Sequence, residues 1–156
     1  MKALSLTQPW ATLIAIGAKR IETRSWSTSF RGPIAIHASK SMPLDCREFA
    51  YADPAGRVLN DAGILLGGDC RDLPKGAIVA VARLTGTART EDIIQWSQGL
   101  LRHEIDFGDY SPGRFGFVLA DVVRLEQPIP AKGALGFWDV PPTILAQIEA
   151  SCGLRT

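Results

Sequence analysis

The sequence predicts an α+β fold, a small barrel of about five to six mixed strands surrounded by helices, formed as one domain over residues 1–156. Three observations point there. Ala77 to Leu84 is apolar at both parities, the pattern of a strand covered on both faces or closed into a barrel. Phe115 to Leu125 reads as a second long strand, with Phe117, Leu119, Val123 and Leu125 on one side. Short stretches with helical spacing interleave with the strands, and the chain, 156 residues and 46% hydrophobic, is long enough for one core and short for two.

In order, Ala3 to Leu6 is a first strand. A helix opens at Pro9, where a missing N–H costs nothing, and Thr7 or Gln8 caps it. Trp10, Leu13, Ile14 and Gly17 form one stripe, and Gly17 ends the helix because a left-handed residue there is cheapest as glycine. From Ile21 a strand places Ile21, Thr23 and Ser25 on one side and Glu22, Arg24 and Trp26 on the other. Pro33 to Ser39 alternates, with Ile34, Ile36 and Ala38 toward the core and His37 on the small, polar side, either half-exposed and holding a neighbouring carbonyl or on the rim of the Lys19/Glu22 site.

Leu44 to Leu59 is helical with a break at Pro54 to Gly56, and Gly63 to Pro74 is a loop whose Gly67-Gly68 lacks the Lys-Ser/Thr of a phosphate loop. Glu91 to His103 is helical with Ile93, Ile94, Trp96 and Leu100 or Leu101 inward, and Asp106 to Arg114 is a loop. Pro128 and Pro130 imply an irregular segment, Lys132 to Trp138 a short closing strand, and Thr143 to Ser151 a terminal helix packing Ile144, Leu145 and Ile148. Trp96 and Trp138 are assigned to the core.

Seventeen basic and sixteen acidic side chains give a net charge of +1, so any anion site is local. No apolar run reaches the roughly 18 residues of a membrane span, and the N-terminus lacks signal-peptide organisation, so a soluble, cytoplasmic protein without a membrane partner is expected. Cys46, Cys70 and Cys152 are odd in number and without a CxxC pair, which argues against a disulfide framework or zinc site. His37 and His103 share no ligand spacing, so neither metal nor cofactor is expected.

The charge concentrates in Lys19, Glu22 and Arg24. Lys19 and Arg24 only donate and Glu22 only accepts, so a ligand satisfying all three offers both an oxygen and an N–H or O–H, as nucleobases joined to phosphate do. Trp26 shares strand parity with Glu22 and Arg24 and is the better stacking face, Trp10 being mainly structural, while Arg31 and Lys40 hold a backbone. The competing reading is a surface pair of Glu22 with Lys19 or Arg24, worth about 0–1 kcal/mol.

Gly17-Ala-Lys19-Arg-Ile-Glu22-Thr-Arg24 resembles the GxKxxExR signature of the activating signal cointegrator homology (ASCH) family, with Gln8-Pro9-Trp10 before it and Ser25-Trp26 and Arg31-Gly32 after it. The resemblance implies a PUA-like β-barrel and a cleft for RNA, other nucleic acid or a modified nucleoside. Together with the residue reading above, it gives Gln8, Trp10, Lys19, Glu22, Arg24, Ser25, Trp26, Arg31, His37 and Lys40 as the expected ligand contacts. It also admits an enzyme, since some compact bacterial members resemble N4-acetylcytidine amidohydrolases and others ribonucleases. The amidohydrolases use a lysine and, three residues on, a nucleophilic threonine; that position here is Glu22, which leaves a metal-independent hydrolase with Glu22 as general base and Lys19 stabilising the oxyanion. A protein-binding adaptor is a third class and requires an exposed apolar patch.

Overall fold

The computed structural model describes residues 1–97 and 102–153. Strand β1 (Lys2–Leu6) leads into helix α1 (Trp10–Ala15), then β2 (Ile21–Arg24) and β3 (Gly32–Ala38). Helices α2 (Leu44–Tyr51) and α3 (Ala55–Asp61) and a 3-10 turn at Cys70–Asp72 precede the long β4 (Ala77–Arg89). Helices α4 (Thr90–Ser97) and α5 (Arg102–Asp106), β5 (Phe115–Pro130), β6 (Phe137–Asp139) and α6 (Pro142–Cys152) complete the fold. One mixed sheet has the order β2-β5-β4-β3-β1-β6, with β1 and β3 parallel and the other pairs antiparallel.

Helix α1 forms where the sequence places it. The Gln8 side chain accepts the Thr12 N–H at 3.0 Å and donates to the Pro74 carbonyl at 2.7 Å, satisfying one of the free amide donors of the first turn. Gly17, at φ 78°, turns the chain away after the last turn. Ala11, Ile14 and Ala15 pack with Leu4, Leu6 and Ile36 on one face of the sheet, and Ile148 of α6 packs with Ala35, Ile78 and Val81 on the other. Ala77 to Ala82 is therefore buried at every position, and covering both faces explains the run's lack of alternation.

The sheet curls into a half-barrel, α+β in class, with helices around it. Its two edges approach each other. Trp26, just past edge strand β2, meets Phe137 of the opposite edge β6 edge-on at 5.2 Å, and Phe117 stacks on Phe137 at 6.0 Å. Arg24 Nη1 reaches from β2 to the Ser5 carbonyl of β1 at 3.4 Å.

Several expectations are corrected. Strand β5 continues through Pro128 to Pro130, with its irregularity confined to a register jump against β4, from Arg124 opposite Ala80 to Ile129 opposite Ile78. Pairing of β2 with β5 ends at Ile21↔Val118, and Pro130 stands opposite Ala77 at the end of the β4 ladder, past the jump that leaves Pro128 without a β4 partner. Val123 is 44% exposed while Leu119 and Leu125 are buried, because Asp121 takes a left-handed φ of 51° and the β4–β5 register shifts. Trp96, assigned to the core, is 66% exposed. Trp138 packs against the α6 side of the sheet. Of the 91–103 stretch, residues 91–97 are helical in α4 and 102–103 in α5, and Leu100 and Leu101 lie outside the described residues.

Candidate functional site

The Lys19–Arg24 segment is held from both ends. Lys19 N donates to the Leu13 carbonyl at 3.0 Å, tying the segment to α1, and β2 pairs with β5 from Ile21↔Val118 to Arg24↔Phe115. From α5, the Glu104 carboxylate accepts the Arg20 N–H and, at 3.2 Å, the Ile21 N–H. Burial pushes the Glu104 carboxyl up in pKa, opposed by the Arg20 N–H and the Lys19 charge.

Lys19 is wholly buried. Its Nζ donates to the Ile21 carbonyl and stands 3.9 Å from Glu22 Oε2. Glu22 is 8% exposed, and its Oε2 is buried without a hydrogen-bond partner. Burial pushes the Glu22 carboxyl above the usual carboxylate range, against the pull of Lys19 first and then Arg24 and Arg114. The neighbouring Tyr110 hydroxyl is also buried and unpartnered, and burial raises its pKa, helped by the charges of Glu104 and Glu22.

A cleft of about 500 Å³ opens over this pair. Glu22, Thr23 and Arg24 form one wall, Ser5 to Thr7 and Ser39 another, Trp10 and Phe49 an aromatic corner, and Asp106 to Asp109 with Arg114 the far side. Trp10 lies nearly parallel to Phe49, centroids 4.7 Å apart. Arg114 is fixed by Asp109, its Nε 3.4 Å from Oδ2 and 3.1 Å from the Asp109 carbonyl, and its Nη2 donates to the Thr23 carbonyl at 3.4 Å.

Of the residues singled out in the sequence, Trp10, Glu22 and Arg24 line this cleft, and Lys19 lies beneath it. Gln8 is buried and spent on capping α1. Trp26 packs against Phe117 and Phe137, with Arg24 above its ring, and is absent from the cleft lining, where the aromatic residues are Trp10, Phe49 and Phe107. Ser25 is exposed, and Arg31 donates to the Thr28 and Phe30 carbonyls and Thr87 Oγ1; neither lines the cleft.

His37 and Lys40 belong to a neighbouring groove. His37 is 2% exposed, a correction to its half-exposed assignment, because residues 131–133 and Trp138 cover that side of β3. Its Nε2 lies 2.9 Å from the Ala131 carbonyl, which can only accept, so Nε2 carries the proton and Nδ1 accepts from Ser5 Oγ at 3.0 Å. Ser5 Oγ in turn accepts from Trp138 Nε1 at 3.0 Å. Burial lowers the His37 pKa, consistent with a neutral ring.

Thr23, Phe49, Glu104, Asp109 and Arg114 were not legible as site residues. Strand parity sets Thr23 opposite Glu22, yet the cleft wraps the end of the strand and both contribute, with Thr23 Oγ1 accepting the Asp109 N–H at 3.0 Å. The Asp106 to Arg114 loop carries turn signals, but no local signal shows where it docks.

The ASCH domain family matches residues 4–129. The human and mouse proteins named activating signal cointegrator 1 are each 27% identical over 142 residues, 90% of this chain and 22% of theirs, so the chain spans about a fifth of their length. A crystal structure of ASCH from Zymomonas mobilis has the same fold at TM-score 0.56 and 11% identity, covering 96% of this chain and 93% of that one. A mutant of that protein superposes with the same TM-score over 96% of each chain. Among the described residues no helix is long and apolar enough to cross a membrane. The family match over most of the curled sheet and its cleft means that this chain belongs to the ASCH domain family, whose PUA-like fold is associated with RNA binding.

Proposed function

We propose that the cleft binds a nucleobase, presented by RNA or another single-stranded nucleic acid or by a modified nucleoside. The observation that carries this reading is the Glu22 carboxylate at the cleft wall, nearly buried and sharing the lining with Arg24, Arg114 and Trp10. A carboxylate only accepts, so its cleft-facing side calls for a ligand N–H or O–H. Arg24 and Arg114 supply donors for carbonyl oxygens on the same ligand, and Trp10 supplies a stacking face. Lys19 acts from below, holding Glu22 in place, and makes no ligand contact.

The test is a titration of purified protein with mixed-sequence single-stranded RNA and with nucleosides, N4-acetylcytidine included. A hydrogen bond to a charged group is worth about 1.5–3 kcal/mol, so Glu22→Ala should weaken binding by about 10-fold to 150-fold. Unchanged affinity in Glu22→Ala would remove the cleft from the binding site.

The raised Glu22 pKa favours a second reading, in which the carboxylate acts as general base toward water or a ribose 2′-hydroxyl. Glu22→Gln keeps an acceptor oxygen and loses the base. Under chelator, turnover by the parent that vanishes in Glu22→Gln while binding persists would establish a hydrolase. Product formed at parental rates by Glu22→Gln would eliminate Glu22 as base.

A further inference from the structure

Helix α2 gives one face to the fold and leaves the other bare. Phe49 stacks on Trp10 at the cleft corner, and Cys46 and Ala50 are buried toward the interior. Leu44, Arg47, Glu48 and Tyr51 follow the i, i+3, i+4, i+7 spacing of a single stripe on the outward side. Leu44 is 61% and Tyr51 54% exposed, Glu48 is exposed and Arg47 is half-buried. All four line a depression of about 340 Å³ that they share with residues 69–71.

The two charges of the stripe are not matched within the chain. Arg47 and Glu48 are consecutive, so on a helix they do not face each other. No residue three or four positions from Arg47 is acidic, and none so placed about Glu48 is basic. Among the described residues neither forms an ion pair, and the neighbouring Arg71 and Asp69 are occupied with each other, Nη2 standing 2.5 Å from Oδ2. The apolar part is held in place. Tyr51 Oη accepts the Cys70 N–H at 2.8 Å, which fixes the ring while leaving much of it in solvent, so little side-chain freedom is left to lose on docking.

The order of these four residues is its own complement. Apolar Leu44 and Tyr51 stand at equal distances from the midpoint between Arg47 and Glu48, and opposite charges flank that midpoint. A second α2 laid antiparallel across a two-fold axis at the midpoint sets Leu44 against Tyr51 of the second copy and Arg47 against Glu48 of the second copy, each contact occurring twice. We infer that the α2 stripe is an isologous contact surface whose partner is a second copy of this chain. An eight-residue helix is about 12 Å long, so together with the 69–71 turn the patch falls at the low end of specific interfaces, and the dimer is weak, with a Kd between about 1 µM and 1 mM. The contact is independent of what the cleft binds.

Sedimentation velocity and light scattering of the full chain, from about 10 µM to 1 mM, test this. The proteins are the parent, Arg47→Glu, Glu48→Arg, an equimolar mixture of those two, and Arg124→Glu as a control on the exposed side of β5, with folding of each checked by circular dichroism. The parent should pass from monomer toward dimer within that range, and the control should match it. Each single reversal turns both attractive pairs into repulsive ones, so alone it should dimerise at least about 10-fold more weakly. Mixed, the two variants restore opposite charges at both places across the axis, so the mixture should dimerise at least as tightly as the parent although neither component does. A parent that stays monomeric to about 1 mM would overturn the inference. Single variants that self-associate like the parent would do so too, as would a mixture of two folded variants that stays monomeric. Should reversal at the half-buried Arg47 unfold the chain, Glu48→Arg still decides on an exposed residue: parental self-association overturns the contact, and a loss of about 10-fold or more supports it.

Discussion

Replacing Lys19 with Met should destabilise the fold by about 3–5 kcal/mol near neutral pH, far beyond the effect of an ordinary ion-pair deletion. The magnitude follows from burial. An exposed Lys–Glu pair is worth about 0–1 kcal/mol, but the Lys19 and Glu22 side chains are 1% and 11% exposed. Met fills similar space and leaves the Glu22 carboxylate buried without its closest cation, while the Ile21 carbonyl loses its Nζ donor. The pH dependence has a definite sign. Burial already raises the Glu22 pKa, and removing Lys19, the largest opposing influence, raises it further. As pH falls through that raised value the carboxyl becomes neutral, so the penalty should shrink toward the lost carbonyl hydrogen bond, about 1 kcal/mol. For the parent, a folded pKa above the unfolded one means that Glu22's contribution is greatest below the unfolded pKa and is lost as pH rises through the folded one. Urea unfolding of parent, Lys19→Met, Glu22→Gln and the double variant over a pH series reads all of this. The cycle should show about 2 kcal/mol or more of coupling near neutral pH. A loss under about 1 kcal/mol that is independent of pH, or strictly additive variants, would refute the buried pair.

Two further substitutions test how neighbouring groups divide their labour. Trp10→Ala should weaken base binding by about 1–3 kcal/mol, whereas Trp26→Ala should mainly lower stability, by about 3 kcal/mol, because its ring meets Phe117 and Phe137; RNA titrations and melts on both proteins check this. If Trp26→Ala lost the ligand at unchanged stability, the cleft would have been assigned to the wrong aromatic. Gly133→Ala should cost about 2–3 kcal/mol in urea unfolding, since the new methyl must displace Ser5 or His37 from a hydrogen-bonded chain. A Gly133→Ala protein as stable as its parent would show that the 131–133 segment is not fastened there.

What the sequence discloses is what its neighbours in the chain decide. Pro9 and Gly17 bound α1, Pro54 marks the break before α3, and the apolar spacing of Ile144, Leu145 and Ile148 finds α6, because each signal acts within one or two turns of itself. Failures occur where a remote segment settles the matter. Alternation in Pro33 to Ser39 leaves His37 looking half-exposed, and only the arrival of Ala131 to Gly133 and Trp138 buries it. Trp96 has an aromatic side chain on a helical period, yet nothing covers it enough to bury it. The GxKxxExR segment is visible, but its fastening by α5 and β5, more than eighty residues away, and the burial of Lys19 within it are not.

Edge strand β2 explains why those remote residues converge on the site. One side of β2 pairs with β5, and the other would leave backbone groups open to strand addition by another chain. Residues 104–114 close that side. Glu104 takes the Arg20 and Ile21 N–H groups, Arg114 donates to the Thr23 carbonyl, and the Asp109 N–H is received by Thr23 Oγ1. The segment that protects the edge thereby becomes the far wall of the cleft and brings Arg114 and Asp109 to face Glu22. Its cover is dry enough to raise the pKa of both Glu22 and Glu104, so protecting the strand and perturbing the carboxylates follow from the same packing. A β2 edge left open to solvent would hold Glu22 as an ordinary hydrated carboxylate, without the buried setting that the proposed recognition of a base relies on.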